Sequence, residues 1–254
     1  MNLKTGRTIR EIAIENPAAV RVFEALGIDY CCGGNRSLDE ACRRASVPPD
    51  TALRLLAMAG RQSGPREDDW SGASLSELIA HIVEQHHSYV RREAARLFPM
   101  LDKAVARHGA AHPELKHIRD LFGPLADELF SHMMKEEHVL FPYLVRMETA
   151  LHDGSRPPAA TFGSIEFPIS RMLAEHDDAG ELLRQIRTVS SDFHPPEDAC
   201  ATYHALYHGL EEFERDLHRH VHLENNILFP RAFAMERESG QKEGVDDVRH
   251  DFPQ

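Results

Sequence analysis

His132-Met-Met-Lys-Glu136 and His220-Val-His-Leu-Glu224 are two copies of one arrangement, and in each a Phe-Pro pair follows the histidine at the same offset, Phe141-Pro142 and Phe229-Pro230. On an α-helix, residues four apart lie about 40° apart in azimuth and one turn up, so each pair presents an imidazole nitrogen and a carboxylate from one face. Each pair is half of a metal site. His87 precedes His132 by 45 residues and His176 precedes His220 by 44, each within its own helical pattern. Four helices would then deliver four histidines and two glutamates to one interior, which is how helix bundles build paired-metal carboxylate centres.

Iron in such a centre takes imidazole nitrogen and carboxylate oxygen, and a carboxylate can span two metals where imidazole normally does not. The assignment that follows is His87, His132, His176 and His220 as terminal ligands of two Fe ions, with Glu136 and Glu224 bridging; manganese fits the same donors. Six protein donors leave coordination positions open, which marks a reactive metal rather than a closed structural one.

A single His-x-x-x-Glu on a helix is ordinarily a surface pair. His208 and Glu212 have that spacing, but no Phe-Pro follows them, and they lie twelve residues before His220 and Glu224, about 120° round the helix. The matched duplication separates the other two pairs from this one. Helical phase does not choose between His86 and His87, and His218 and His222 flank His220, which the repeat favours. Glu137 and Glu175 neighbour the ligands and could orient imidazole N–H groups, although a solvated face suits Glu175 equally well.

The elements that must position these residues are helices. Ser74-Leu-Ser-Glu77 is a capping box, and Leu75, Leu78, Ile79, Ile82 and Val83 follow at helical spacing toward His87. His112-Pro113 opens a second helix through Leu115, Ile118, Leu121, Phe122, Leu125 and Leu129 to His132, which Gly123-Pro124 should kink or interrupt. Phe167-Pro168 opens a third, carrying His176, and a fourth is expected from about Glu197 to Met235. The fold class is therefore all-α, a four-helix bundle over residues 74–235, preceded by a small helical domain over 1–60 and a linker over 61–73. Residues 236–254 are charged and aperiodic, and a disordered tail is expected there.

In the N-terminal domain, Asn16-Pro17 starts a helix that stops at Gly27, and Ser37-Leu-Asp-Glu40 is a further capping box. Between them lies Cys31-Cys32-Gly33-Gly34, a candidate thiol site. A thiolate there is plausible because the loop precedes a capped helix, whose N-terminus favours negative charge. Four cysteines in 254 residues are too few for a disulfide framework. The net charge of -12 argues against nucleic acid and anionic membrane as partners, and no apolar run spans a bilayer, so a cytoplasmic protein is expected.

Asp29-Tyr-Cys-Cys-Gly-Gly34 resembles the hallmark of the short N-terminal domain of the repair-of-iron-centres family. Ser131-His-Met-Met-Lys-Glu136, Glu175-His-Asp-Asp-Ala-Gly-Glu181 and Leu223-Glu-Asn-Asn-Ile-Leu-Phe-Pro230 resemble that family's hemerythrin-like domain. The resemblance runs from about Thr8 to Ala234. It implies a non-haem, carboxylate-bridged di-iron protein, often a homodimer, that repairs or protects iron–sulfur clusters after nitrosative and oxidative stress and binds nitric oxide. Damaged cluster proteins would be its partners, with iron donation or reduction of nitric oxide to nitrous oxide as its chemistry. The family's ligand pattern falls on the six positions chosen above. Oxygen-carrying hemerythrins resemble the same fold but use a fifth histidine, so a gas-binding store or redox sensor is the alternative.

Overall fold

A computed structural model describes residues 6–61, 70 and 72–247. The expected linker falls largely on residues outside that set, as do the last residues of the expected tail. Among the described residues the structure is helical, with one isolated antiparallel bridge between Thr8 and Ser37. The described chain forms two compact units: Met1–Ala73 with Arg215–Ile227, and Ser74–Glu214 with Leu228–Gln254.

In the first unit, α1 (Ile9–Glu15), α2 (Ala19–Ala25), α3 (Leu38–Arg44) and α4 (Pro49–Arg61) surround a small core of Ile9, Ile12, Phe23, Leu38 and Leu56. Gly27 ends α2 at φ +62°, a left-handed backbone that glycine adopts without strain. The box expected at Ser37 is half made: its hydroxyl accepts from the Glu40 N–H. Thr8 and Glu11 form an unexpected full box at the start of α1.

The rest of the described chain forms four long rods, of which the Arg215–Ile227 stretch of the last is grouped with the first unit. The first is α5 (Leu75–His81), a wide π turn (Ile82–His87) and α6 (Ser88–His108). The next is α7 (Glu114–Lys135), a π turn (Glu136–Leu140) and α8 (Phe141–His152), followed by α9 (Glu166–Val189). The last begins as α10 (Ala201–Leu223), passes a π turn (Glu224–Leu228) and ends in α11 (Phe229–Asp247). Helix α7 packs on α6 and α9, and α8 on α5 and α11. The buried stripe of α7 is Leu115, Ile118, Phe122, Leu125 and Leu129, alternating steps of three and four. Phe122 anchors it, with ring centroids 5.1 Å from Phe98 and 5.3 Å from Phe213.

Three boundaries differ from the sequence expectation. Pro124 does not interrupt α7, because the bond it cannot make would go to the carbonyl of Asp120, and both residues are exposed, so water replaces it. Pro99 sits inside α6 in the same way. The last rod starts at Ala201 rather than Glu197, after a connection that contains two prolines. Helix α11 continues past Glu236 to Asp247, where a disordered tail was expected. Residues 248–254 lie outside the described set.

The box at Ser74 is complete, with the Ser74 hydroxyl accepting from Glu77 N–H and the Glu77 carboxylate accepting from Ser74 N–H. Glu148 of α8 accepts from the next two N–H groups, Leu75 at 2.6 Å and Ser76 at 2.9 Å. Ser74→Ala is expected to cost about 1 kcal/mol in a denaturant titration. A loss within error would show that Glu148 alone satisfies this end.

At one end of this unit, His112 lies between two carboxylates, with Nε2 3.0 Å from Asp198 and Nδ1 3.0 Å from Glu114. The Asp198 bond outweighs partial burial and raises its pKa. Since the folded value is the higher one, the contribution to stability is present at low pH and is lost as pH rises through it. An NMR titration should place His112 above the ordinary histidine range, and Asp198→Asn should bring it back down. An unshifted wild-type midpoint would refute the pairing.

Candidate metal centre

Five of the six candidate ligands lie on core stripes that run without a break from their own helices. On α7 the steps from Leu125 and Leu129 lead to His132 and on to Glu136; on α9, Ile169 and Met172 lead to His176, followed by Ala179 and Leu183; on α10, Phe213 and Leu217 lead to His220 and then Glu224. The ligands therefore occupy positions that would otherwise hold leucine. His87 is different. From Ile82 an α-helical step of four reaches His86, but the π turn inserts one residue, so that the fully buried position is His87, which leads on to Val90, Ala94 and Leu97. His86 turns its ring onto His81 instead, with centroids 5.6 Å apart.

A π turn also follows each glutamate of the repeat. The Phe141 N–H reaches back five residues to the Glu136 carbonyl. The next residue is Pro142, which has no N–H and whose ring would strike the carbonyl four residues back in a regular helix; widening the turn relieves that conflict. A Phe-Pro pair thus marks the end of both of these wide turns, whereas the turn at Ile82–His87 is followed by Ser88-Tyr89. Phe141 and Phe229 also close on the ligand rings, stacking at 5.8 Å on His87 and 6.2 Å on His176.

The donor atoms fall into two groups, His87 with Glu136, His220 and Glu224, and His132 with Glu136, His176 and Glu224; within each, one donor atom per residue lies within 4.8 Å of every other. Glu136 and Glu224 belong to both. His132 Nε2 is 3.2 Å from Glu136 and 3.0 Å from His176 Nε2, and His87 Nε2 is 3.4 Å from the other Glu136 oxygen. His220 Nε2 is 2.9 Å from Glu224. All six side chains are buried, the two glutamates completely. Taking a carboxylate out of water costs several kcal/mol unless positive charge meets it, and a divalent metal ion would supply that charge. Nitrogen and carboxylate donors converging in this way suit divalent iron or manganese, so the residues present fit a metal pair.

Behind two of the histidines stand carboxylates. Glu137 lies 2.6 Å from His87 Nδ1, and Glu175 lies 2.9 Å from His132 Nδ1, so Nε2 of each ring faces the donor group. Arg91 holds Glu137 at 2.7 Å, and Lys135 and Arg171 both hold Glu175. Burial alone would raise the Glu175 carboxyl, but Lys135, His132 and Arg171 keep it down at about 2. Glu175 is thereby placed on a ligand rather than on a solvated face. Sequence reading missed the three cations. Arg91 and Arg171 had a signal, each lying four residues from a ligand or its carboxylate partner; Lys135 had none of its own.

Cys31 and Cys32 form a third group with Asp29. All four cysteines are free. The expected thiolate at Cys31 is not met, because its Cys32 partner, burial and the neighbouring Asp29 push its pKa well up. The N–H groups of Cys32 and Gly33, which would have favoured a thiolate, go to the Asp29 carboxylate at 3.0 and 2.9 Å. The loop is fastened to the segment that carries His220 and Glu224. Asn226 donates to the Tyr30 carbonyl at 3.0 Å, Asn225 to the Cys31 carbonyl at 3.3 Å, and Arg219 to Glu24 at 2.9 Å. A Cβ on Gly34 would sit 2.3 Å from Asn226 Oδ1, so this approach requires glycine.

Residues 78–232 match the hemerythrin HHE cation binding domain, and residues 5–59 match ScdA_N, a domain of unknown function (DUF542). The iron-sulfur cluster repair protein YtfE of Escherichia coli O81 (strain ED1a) is 38% identical over 226 residues, 89% of this chain and 96% of that protein. The proteins of the same name from Enterobacter sp. (strain 638) and Escherichia fergusonii are each 37% identical over the same coverage.

Proposed function

Because this chain belongs to the hemerythrin HHE family, together with the iron-sulfur cluster repair proteins named YtfE, we propose that it holds two iron ions and serves the repair of damaged iron–sulfur clusters. His87 and His220 would be terminal ligands of one iron, His132 and His176 of the other, and Glu136 and Glu224 would bridge them. The observation that carries this reading is the membership of both glutamates in both donor groups. Bound iron supplies open coordination positions and one-electron chemistry. The protein's share is to fix the donors on rigid helices, to present Nε2 of His87 and His132 through Glu137 and Glu175, and to keep Phe141 and Phe229 against the rings. Cys31 and Cys32, with Asp29, would engage the recipient cluster protein, and thiols give up their protons on meeting metal.

The first test is anaerobic metal analysis with Mössbauer spectroscopy. Two irons per chain in a coupled pair support the reading, and one metal or none rejects it. The repair role is tested by restoring activity to a cluster enzyme with a damaged centre, where a Cys31→Ser/Cys32→Ser variant that works at full rate would remove the thiols from it. A second reading rests on the six-donor count, which leaves open positions: the centre binds nitric oxide and reduces it to nitrous oxide. Failure of nitrous oxide to form on mixing reduced protein with nitric oxide would reject the reductase. A homodimer in the cytoplasm is proposed with both readings, and sedimentation of the loaded chain tests the first part.

A further inference from the structure

A second cluster of reactive side chains lies where the connection 109–113 meets the connection 190–200. Cys200 immediately precedes α10, about 30 Å along that helix from His220. Its sulfur is 3.2 Å from His108 Nε2 at the end of α6, and the N–H groups of Tyr203 and Thr202 in the first turn of α10 point at it. The imidazole is held in place: its ring packs 5.7 Å from Tyr203, whose hydroxyl donates to Glu114 at 3.0 Å and meets Tyr207 at 3.2 Å. His112, tied to Asp198 and Glu114, lies 6.3 Å from the same ring. The thiol and its base thus come from separate elements, each independently anchored, and Cys200 is partly open to solvent.

We propose that Cys200 and His108 form a hydrogen-bonded thiol–imidazole pair that reacts with small hydroperoxides, a modification site separate from the metal centre. A soft nucleophile with a proton donor 3.2 Å away suits an electrophile whose leaving group must be protonated, and hydrogen peroxide is the smallest of these. The Cys200 sulfur attacks one peroxide oxygen, and the S–O bond forms as the O–O bond breaks. His108 takes the thiol proton as the sulfur attacks and passes it to the departing hydroxide, which leaves as water. Sulfur gives two electrons to the peroxide and becomes a sulfenic acid.

The surroundings of the other thiols differ. Cys31 is pushed up by Cys32 and by burial, and Cys42 by burial, whereas the Tyr203 N–H and His108 bring Cys200 down to about 7. Against an ordinary value of 9, this raises the thiolate fraction at pH 7 roughly 50-fold. The weaker nucleophilicity of a more acidic thiol takes back about eightfold, leaving a net gain of about sixfold.

The experiment is iodoacetamide labelling of the full reduced chain from pH 5 to 10, resolved by cysteine with peptide mass spectrometry. The expected result is a Cys200 midpoint about two units below that of the denatured chain, and at pH 7 a rate about sixfold above it; a midpoint near 9 would overturn the proposal. Treatment with hydrogen peroxide and dimedone should then tag Cys200 before Cys31, Cys32 and Cys42, and its absence from the tagged peptides would overturn the peroxide reaction. His108→Gln should raise the midpoint and slow peroxide oxidation at pH 7, and an unchanged midpoint would remove His108 from the pair. If that variant does not fold, the wild-type profile and the dimedone map still decide the matter.

Discussion

Glu136→Ala is expected to take iron binding from two ions per chain toward none, whereas His176→Ala should lose one position and keep the other. The difference follows from membership: Glu136 belongs to both donor groups and His176 to one. The readout is metal content together with thermal stability. A ligand that binds only the folded chain, present at a thousand times its Kd, stabilises it by about 4 kcal/mol. For a chain of this size that is roughly 8–16 °C between the iron-loaded and metal-free forms. The gap should close in Glu136→Ala and persist in part in His176→Ala. Equal iron loss in the two variants would refute a shared carboxylate, and an unchanged gap in Glu136→Ala would refute the whole assignment. Glu224→Ala should repeat the Glu136 result, since the two glutamates have the same membership.

The second large effect is expected at Arg187, about three turns beyond His176 on α9. Its guanidinium donates to Glu214 at 2.9 Å, pairs with Asp192, and lies 4.8 Å from the ring of Phe193. Glu214 is buried, so removing the arginine leaves a carboxylate without its partner in the bundle. Ser191, Asp192 and Phe193 all have positive φ, between 51° and 61°, a run that non-glycine residues keep only when their surroundings enforce it. Arg187 fastens two of the three. Breaking a buried pair costs about 3–5 kcal/mol, and because Arg187 itself reaches solvent the lower end applies, about 3 kcal/mol for Arg187→Ala. Denaturant unfolding of the metal-free chain measures this. Arg187→Ala/Glu214→Leu should recover part of the loss, because the stranded charge is then gone. A single-variant loss below about 0.5 kcal/mol would show that water already serves Glu214.

The helices and their inward faces are readable one element at a time. Leu115, Ile118, Phe122, Leu125 and Leu129 define a stripe by spacing alone, His132 and Glu136 fall on it, and the duplication with the Phe-Pro pair marks the second copy at His220 and Glu224. The chemistry follows from donor type, because imidazole and carboxylate in one interior suit few things besides a metal. The boundaries that failed have local reasons. Pro124 faces water, where a missing hydrogen bond is replaced, and the last rod starts only after Pro195 and Pro196.

The choice of His87 over His86 was legible only indirectly. The stripe running forward from Leu75 and Ile82 points to His86, while the stripe running back from Leu97, Ala94 and Val90 points to His87, and that mismatch of phase is the trace of the inserted residue. Cys31 shows the limit of a local argument. A helix N-terminus nearby favours a thiolate, but Asp29 takes the same N–H groups, and the Cys32 contact and burial, with the Asp29 charge behind them, drive the thiol the other way. The Arg91, Lys135 and Arg171 contacts and the Cys200–His108 pair likewise join residues that no sequence period connects.

What the sequence determined by itself is therefore a set of candidate ligands and the face each occupies, since the period of a helix is fixed by backbone geometry and repeats wherever the pattern does. The tertiary structure decided the pairing. The repeat matches His87 with His176 and His132 with His220, yet the donor groups join His87 to His220 and His132 to His176, with both glutamates shared. Helical phase constrains rotation about one axis only; which faces meet across the interior depends on how the rods pack and on the extra residue that each π turn admits.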